Sequence, residues 1–392
     1  MDISGDKIVS GDITKRVETS RFGPFTFQVG VDEREAEMLL QRIADAQVRF
    51  LSSPLSQVAN RLEQEVLVSS IFSTNTIEGG TLTEEETKDA LELDPAQVQA
   101  KEQQRAVNIK QAYDIAQKAA QNPDWRCSVD FIKQIHAAIT DGIPHKYNQP
   151  GLLRSNPKNI VTHVGDTAHG GRYKPPQYGG DIEHLLNHLV TWHNELATAE
   201  IPALMRAPLL HYYFELIHPF WDGNGRVGRV LEATVLHSAG FRYAPFAMAR
   251  YYMERIDQYF TLFNFCRKQA DKKTACPNTP FVLFHLEGML ASINRLHDRV
   301  NAMVRLLLFE SHIKHLRDTK EINLRQYAIL TQVTERGKPL PIDELRRTPW
   351  HEALYAKLGD KTKQRDLSRL REQELLYVDE KGLVWPGFTR SR

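Results

Sequence analysis

Residues 218–229 bring together side chains that can handle phosphate. The segment runs His-Pro-Phe-Trp-Asp-Gly-Asn-Gly-Arg-Val-Gly-Arg, and it combines a base, an acid, a glycine-rich turn and two arginines. An apolar run from Leu209 to Ile217 precedes it, and apolar residues recur at helical spacing from Val227 to Val235. The segment is therefore predicted to be a loop that follows a buried helix and opens a second one.

The middle of this loop suits an anion. The backbone N–H groups of Gly223, Asn224 and Gly225 can close around phosphate oxygens where the next helix begins, because two of these residues lack Cβ and the helix dipole is positive there. Arg226 and Arg229 lie three residues apart, hence on one helix face, and each offers a planar fork to phosphate oxygens. A polyphosphate is the ligand that this pattern favours.

Two further side chains complete the predicted chemistry. Asp222 is a hard oxygen ligand suited to Mg²⁺, and His218 can take a proton near neutral pH. Taken singly, each feature has an ordinary explanation: a structural histidine, a tight turn, a solvated pair of arginines and a helix N-cap. In this order they favour one phosphate-handling site. Phe220 is expected to anchor the loop in the core.

The segment resembles the signature of the Fic family, His-Pro-Phe-x-Asp/Glu-Gly-Asn-Gly-Arg-x-x-Arg, and matches it at every specified position. The resemblance implies a nucleotidyl transferase that moves AMP from ATP to a Ser, Thr or Tyr hydroxyl of a protein. By position, His218 would deprotonate the target hydroxyl and Asp222 would bind Mg²⁺.

The resemblance also assigns the phosphate groups of ATP. Gly223, Asn224 and Gly225 would form the anion hole, and Arg226 and Arg229 would hold the leaving pyrophosphate portion, with Arg229 on the γ-phosphate. The Doc branch of the family, which resembles kinases, has lysine in place of the second glycine. Gly225 therefore favours AMP transfer over phosphate transfer.

An upstream segment resembles the flap of the same family. Short β-prone runs from Asn159 to Val164 and from Gly170 to Pro176 surround a glycine-bearing turn, which predicts a hairpin. The resemblance implies that a protein target docks on this flap, near residues 159–173, by strand addition. An ordinary surface hairpin is the alternative.

A second upstream segment resembles the family's inhibitory motif, Ser/Thr-x-x-x-Glu-Gly/Asn. Thr74 and Glu78 are in register with it and share one face of a helix predicted over residues 62–77, which Gly79 is suited to end. A glutamate there could pair with Arg229 and keep that arginine from the γ-phosphate. The alternative is a surface carboxylate at a helix C-terminus, which the helix dipole slightly disfavours.

Composition limits the remaining function classes. The chain has 392 residues, of which 41% are hydrophobic and 25% charged, with a net charge of +1. A net charge this small produces no electrostatic field that would attract nucleic acid or anionic lipid. No apolar run is as long as a membrane-spanning helix requires, so we expect no membrane association. The start of the chain lacks a signal-peptide pattern. We expect reduced cysteines and a cytoplasmic protein, since the cysteines are odd in number and lack metal-like spacing: Cys127, Cys266 and Cys276.

Helical periodicity dominates most of the chain. Residues 1–30 lack it and are predicted to be a partly ordered arm, and Thr83 to Glu86 is predicted to be a capping box before another helix. Further helices are predicted over residues 31–50, 100–121, 181–196, 253–268 and 281–310. The aromatic stripe from Tyr251 to Phe260 could stack an adenine, but its helical spacing favours packing.

The pattern changes from about Leu324. Three helices are predicted over residues 326–335, 341–346 and 361–373, and a hairpin follows, with strands at 376–378 and 383–385. This order resembles a winged helix. DNA contact is open but not indicated, because the third helix is only modestly basic, and target recognition or dimerisation suits the domain equally well.

The sequence thus predicts a mainly α protein with an N-terminal helical region, a helical Fic core with a β-hairpin flap, and a C-terminal winged helix. The predicted domains are residues 1–125, which include the inhibitory helix, 126–275, 276–315 and 316–392. The predicted activity is AMP transfer from ATP to a protein, inhibited by Glu78; self-modification and a homodimer stay open. Two rivals are AMP removal at the same site and a DNA-binding regulator whose Fic core senses nucleotide.

Overall fold

The computed structural model describes residues 13–94 and 97–390, and these divide into two compact units. The described residues up to Ser53, together with Ala59–His297, form unit 1. Pro54–Val58 and the described residues from Asp298 onward form unit 2. All residues of the predicted phosphate site lie in unit 1.

Unit 1 is helical apart from one short pair of strands. Its elements in chain order are β1 (Lys15–Val17), β2 (Phe25–Phe27), α1 (Glu33–Leu51), α2 (Ala59–Ile77), α3 (Glu84–Glu92), α4 (Lys101–Ala120), α5 (Val129–Thr140), α6 (Gly179–Thr198), α7 (Ala203–Ile217), α8 (Asn224–Ser238), α9 (Ala244–Glu254) and α10 (Ile256–Asp271). The helix α11 (Thr279–Asp318) begins in unit 1.

Most helix predictions agree with these bounds. The predicted helices that became α1, α2, α4, α6 and α10 lie within three residues of the structure at each end. The capping box is present at Thr83, whose hydroxyl accepts from the Glu86 backbone N–H at 3.2 Å. The helix α9 was not predicted, because its aromatic residues were considered only as a stripe.

The prediction of a partly ordered arm is wrong for residues 13–30, while residues 1–12 lie outside the described residues. Strands β1 and β2 pair antiparallel, with Val17 opposite Phe25. Phe27 is fully buried and stacks on Trp192 at 5.7 Å between ring centres. A strand of three residues offers too short a pattern for alternation to be recognised in the sequence.

The core of unit 1 surrounds α7 and α8, the two helices that flank the predicted phosphate loop. On α8, Val227, Val230 and Leu231 are fully buried, as are Leu209 and Leu210 on α7. Most residues of both helices are buried, which is typical of helices in the middle of a domain. The loop between them is therefore fixed at both ends by buried elements.

Unit 2 combines short helices with a small sheet. After α11 it contains α12 (Leu324–Glu335), β3 (Leu340–Pro341), α13 (Ile342–Arg346), α14 (Pro349–Leu354), α15 (Asp360–Glu372), β4 (Leu376–Val378) and β5 (Leu383–Pro386). The sheet order is β3-β5-β4, with both pairs antiparallel. The predicted helices and hairpin are present, whereas α14 and β3 were not predicted, and the winged-helix assignment stays a prediction. No described helix is long and apolar enough to cross a membrane.

Candidate functional site

The loop of residues 218–223 is held in one conformation by its own side chains. His218 ends α7 in the left-handed region, with φ 49°, and Gly223 precedes α8 with φ 83°. The Phe220 ring is fully buried and stacks on His136 at 3.7 Å. The Asn224 side chain accepts from the Phe220 N–H at 3.0 Å and donates to the Phe220 carbonyl at 2.9 Å. These contacts offset a left-handed His218, which costs about 1–2 kcal/mol.

Asp222 and Arg226 meet at the start of α8. Arg226 is 1% exposed and donates from Nη2 to Asp222 Oδ1 at 2.9 Å, while the Gly223 N–H donates to the same oxygen at 2.7 Å. Burial opposes ionisation of Asp222, but the charge of Arg226 outweighs it and keeps the pKa of this carboxyl below its usual value. Arg226 Nε and Nη1 are buried and have no hydrogen-bond partner among the described residues. This guanidinium therefore has donors left for an anionic ligand.

Arg229 is buried one turn further along α8 and contacts the segment that carries Thr74 and Glu78. Its Nη2 donates to Glu78 Oε1 at 2.6 Å, its Nε donates to Thr74 Oγ1 at 3.2 Å, and its Nη1 donates to Tyr259 Oη at 3.3 Å. Burial lowers the pKa of Arg229, but the Glu78 charge raises it above the usual value. Burial likewise raises the pKa of Glu78, but Arg229 brings it below the usual value. Both groups are therefore charged and paired.

The approach of Glu78 depends on the glycine at position 225. A Cβ built on Gly225 would collide with Glu78 Oε1 and lie 3.2 Å from Arg229 Nη1. Gly79, with φ 77°, ends α2 directly after Glu78. The sequence prediction placed Thr74, Glu78 and Arg229 together, and the structure places them in direct contact.

A cavity of about 310 Å³ opens beside this ion pair. Four of the predicted site residues line it, namely Glu78, His218, Gly225 and Arg229. Its remaining described lining comes from the flap, the end of α7 and α10, and includes neither Asp222 nor Arg226. On α10, Phe260 and Phe263 add aromatic surface to the cavity, and Phe263 is the one of the two that sequence analysis did not consider.

Aromatic packing explains most of the stripe that ends in Phe260. Tyr251, Tyr252 and Tyr259 are 4%, 1% and 1% exposed, as packing requires. Tyr259 and Phe260 are the members of the stripe that line the cavity. The structure thus separates Tyr259 and Phe260, which line the cavity, from Tyr251 and Tyr252, which lie only in the core.

Glu215 was not assigned a role from the sequence, yet it lies beside His218. Its Oε2 is 3.3 Å from His218 Nδ1, and both side chains line the cavity. The two residues are three apart at the end of α7, a spacing that places them on one helix face. That spacing is the signal by which sequence analysis could have found Glu215.

The flap is a loop closed by one backbone pair. Val164 and Tyr173 exchange two backbone hydrogen bonds of 2.8 Å, in an isolated antiparallel bridge. His169 lies between two carboxylates, with Nδ1 3.0 Å from Asp166 and Nε2 3.1 Å from Asp257 on α10. These hydrogen bonds, that of Asp166 first, raise the pKa of His169. The predicted hairpin is thus present in a minimal form, attached to α10.

Comparison with known proteins matches residues 126–236 to the Fic/DOC family. A protein adenylyltransferase Fic from Aedes aegypti is 26% identical over 215 residues, which cover 54% of this chain and 40% of that protein. A protein adenylyltransferase fic-1 from Caenorhabditis elegans is 25% identical over 209 residues, covering 52% of this chain and 38% of that protein. The chain therefore spans about two fifths of the length of these curated relatives.

A solved structure has the same fold. The crystal structure of a Fic domain containing signaling protein from Bacteroides thetaiotaomicron matches with a TM-score of 0.54 and 21% identity. The match covers 68% of this chain and 97% of that one.

Proposed function

We propose, from the premise that residues 126–236 form a Fic/DOC family domain, that this protein transfers AMP from ATP to a Ser, Thr or Tyr hydroxyl of a protein. The observation that carries the proposal is the buried guanidinium of Arg226 at the N-terminus of α8, two of whose nitrogen atoms have no partner in the described part of the chain. A buried cation with spare donors beside a helix N-terminus suits phosphate. Relatives named protein adenylyltransferase support ATP as the source of that phosphate.

The residues at the start of α8 also fit Mg²⁺. Asp222 keeps a charged carboxylate that is 35% exposed, and the described contacts to its side chain use only Oδ1. Mg²⁺ commonly takes one or two carboxylates together with substrate phosphate oxygens, and Asp222 Oδ2 would hold it here. When bound, the ion neutralises charge on the phosphates during transfer.

His218 is the proposed general base. It would take the proton from the target hydroxyl, whose oxygen then bonds to the α-phosphorus of ATP. The bond from that phosphorus to the β-phosphate bridge breaks, and pyrophosphate leaves, held by Arg226 and Arg229. Glu215 Oε2, 3.3 Å from His218 Nδ1, would stabilise the imidazolium that forms. The flap edge near residues 159–173 would hold the target backbone by strand addition.

Inhibition by Glu78 is the second part of the proposal. The Glu78–Arg229 pair occupies donors that the γ-phosphate would need, so ATP would bind without the α-phosphorus in line with the target oxygen. The exposed fraction of the Glu78 side chain is 25%, against 3% for Arg229, so the glutamate is the partner with room to move.

A labelling experiment tests the transfer. The Glu78→Gly variant is incubated in a cell lysate with ATP labelled on the α-phosphate, and labelled proteins are identified by mass spectrometry; Glu78→Gly combined with His218→Ala is the control. We expect AMP on hydroxyl side chains only with the His218-containing variant. No label from the α-phosphate, with label appearing instead in a parallel incubation with ATP labelled on the γ-phosphate, would identify phosphate transfer and overturn the proposal.

Removal of AMP is a second candidate, because the Glu78 carboxylate lines the same cavity as His218. There Glu78 would activate a water molecule. Release of AMP from a pre-labelled target by the wild type, but not by Glu78→Gly, would favour this reaction. As the location we propose the cytoplasm, which the buried thiols of Cys127 and Cys266 support.

A further inference from the structure

A row of buried polar side chains extends from Arg229 into the core of unit 1. Arg229 Nη1 donates to Tyr259 Oη at 3.3 Å, Tyr259 Oη lies 3.1 Å from His211 Nε2, and His211 Nδ1 lies 2.7 Å from Glu232 Oε2. All four side chains are at most 4% exposed. None of the last three takes part in the proposed transfer or in the Glu78 contact.

In one order of donors along this row, every proton has a partner. A guanidinium can only donate, so Tyr259 Oη accepts from Arg229 and uses its own proton on His211 Nε2. His211 then carries its proton on Nδ1 and donates it to Glu232. Burial raises the pKa of Tyr259, which keeps its hydroxyl protonated and able to donate. The row therefore connects the Arg229 cation to the Glu232 carboxylate through the Tyr259 hydroxyl and the His211 ring.

Glu232 is the fixed anion at the inner end. Its second oxygen, Oε1, accepts from Tyr252 Oη at 2.8 Å, and His285 Nδ1 lies 3.5 Å from it. Burial raises the pKa of Glu232, but His285 and His211 outweigh burial and hold the pKa well below its usual value. A carboxylate that is 1% exposed and bonded from three helices keeps both its place and its charge.

This row matters most when Glu78 is absent. Arg229 then loses its contact with a carboxylate, while its described contacts to Thr74 and Tyr259 are to neutral oxygens. Of these, the Tyr259 oxygen alone is polarised, because Tyr259 donates its proton to a histidine bonded to Glu232. Tyr259 also holds Nη1, whereas Glu78 and the Thr74 carbonyl hold Nη2. Release of Glu78 thus frees Nη2 of Arg229 from the carboxylate, while Nη1 stays bonded to Tyr259.

We propose that Tyr259 is a positioning residue that, oriented by His211 and Glu232, keeps the Arg229 guanidinium at the cavity when Glu78 withdraws, so that it can bind the γ-phosphate of ATP. This inference rests on the proposed function, since it assigns ATP to the cavity. It predicts that loss of the Tyr259 hydroxyl weakens the binding of ATP but not that of ADP, because ADP lacks the γ-phosphate.

The test compares ATP and ADP binding in the Glu78→Gly variant. Calorimetry measures the Kd of ADP and of a non-hydrolysable ATP analogue, with and without Tyr259→Phe. We expect Tyr259→Phe to weaken ATP-analogue binding roughly tenfold to a hundredfold, the value of a hydrogen bond to a charged group, and to leave ADP binding nearly unchanged. With Arg229→Ala also present, Tyr259→Phe should change neither Kd.

Tyr213→Phe is the matched control. Tyr213 is 3% exposed and its hydroxyl donates to the Gln28 carbonyl, so its substitution also removes a buried hydroxyl group but leaves the Arg229 contacts intact. Two results overturn the inference while the proposed function stands. In one, Tyr259→Phe leaves the ratio of the Kd of the ATP analogue to that of ADP unchanged; in the other, Tyr213→Phe changes that ratio as much as Tyr259→Phe does. Failure of Glu78→Gly to bind the ATP analogue overturns both.

A crystal structure provides a second test of the inference, and this test does not depend on the folding of the Tyr259 variant. In Glu78→Gly with the ATP analogue bound, we expect Arg229 Nη1 still within hydrogen-bond distance of Tyr259 Oη. Arg229 bound to the γ-phosphate after turning away from Tyr259 would overturn the inference.

Discussion

Replacement of Glu78 by glycine would separate the proposed inhibition from the proposed transfer most directly. The substitution removes the carboxylate that lies 2.6 Å from Arg229 Nη2 and removes no atom of His218, Asp222 or Arg226. It also leaves the space beside Gly225 open. We therefore expect a faster transfer reaction from a less stable protein.

The size of the gain follows from the contact. A hydrogen bond to a charged group contributes roughly 1.5–3 kcal/mol, and the partial exposure of Glu78 favours the lower half of that range. If the pair and the γ-phosphate compete for Arg229, removing about 1.5–2 kcal/mol raises the productive fraction roughly tenfold to thirtyfold. Stability should fall, by about 3–5 kcal/mol at most, because Arg229 is left buried without its anion.

The gain is measured as the ratio of the initial rate of AMP labelling in Glu78→Gly to that in the wild type. Both rates are measured with ATP labelled on the α-phosphate and corrected for the folded fraction of the protein. Glu63→Gly is the matched control, since Glu63 lies on the same helix, α2, and pairs with Arg242 at the surface. Its labelling rate should equal that of the wild type. Glu78→Gln adds a second comparison: an amide keeps the acceptor but loses the charge, so we expect an intermediate rate.

Two results would refute this reasoning. Labelling by Glu78→Gly no faster than by the wild type, in a protein that still binds ATP, would show that the pair does not limit transfer. A gain that persists after Arg229→Ala would show that Glu78 acts through some other group. Loss of AMP removal in Glu78→Gly, without a gain in transfer, would instead make the glutamate a residue of the reverse reaction.

Three further outcomes are expected. His218→Ala should lower labelling by a factor on the order of 10²–10⁴ while ATP affinity, measured by calorimetry, stays nearly intact; loss of ATP binding would contradict the role of a base. Gly225→Ala should cost about 1–3 kcal/mol in urea unfolding, since its Cβ meets Glu78, and clearly less in the Glu78→Gly background; equal costs would show that the collision is not the cause. His169 has a raised pKa, so its imidazolium should hold the flap fully below a pH of about 6.5 and less as pH rises through the raised value. Amide exchange over residues 165–171, corrected for intrinsic rates, should therefore accelerate as pH rises above about 6.5 in the wild type and not in His169→Gln.

Several parts of this protein could be predicted because their causes are local. The phosphate loop is a run of consecutive residues, so residue type and order alone place Asp222 and Arg226 at the start of a helix. The capping box at Thr83 and the end of α2 at Gly79 likewise depend on neighbours within one helical turn. The Thr74–Glu78 spacing fixed a shared helix face, and the family resemblance supplied the partner, Arg229.

The tertiary structure decided which distant residues meet. Glu78 and Arg229 are 151 residues apart, Tyr259 is 30 residues from Arg229, and His211 is 48 residues from Tyr259. No local pattern separates Tyr259 from Tyr251 or Tyr252, because all three are buried aromatic residues at helical spacing. Their different environments result from the way α2, α7, α8 and α10 pack, which determines the atom that each buried polar group must bond. A buried hydroxyl or carboxylate is costly without a partner, so packing fixes the row from Arg229 to Glu232, and the sequence alone supplies only its members.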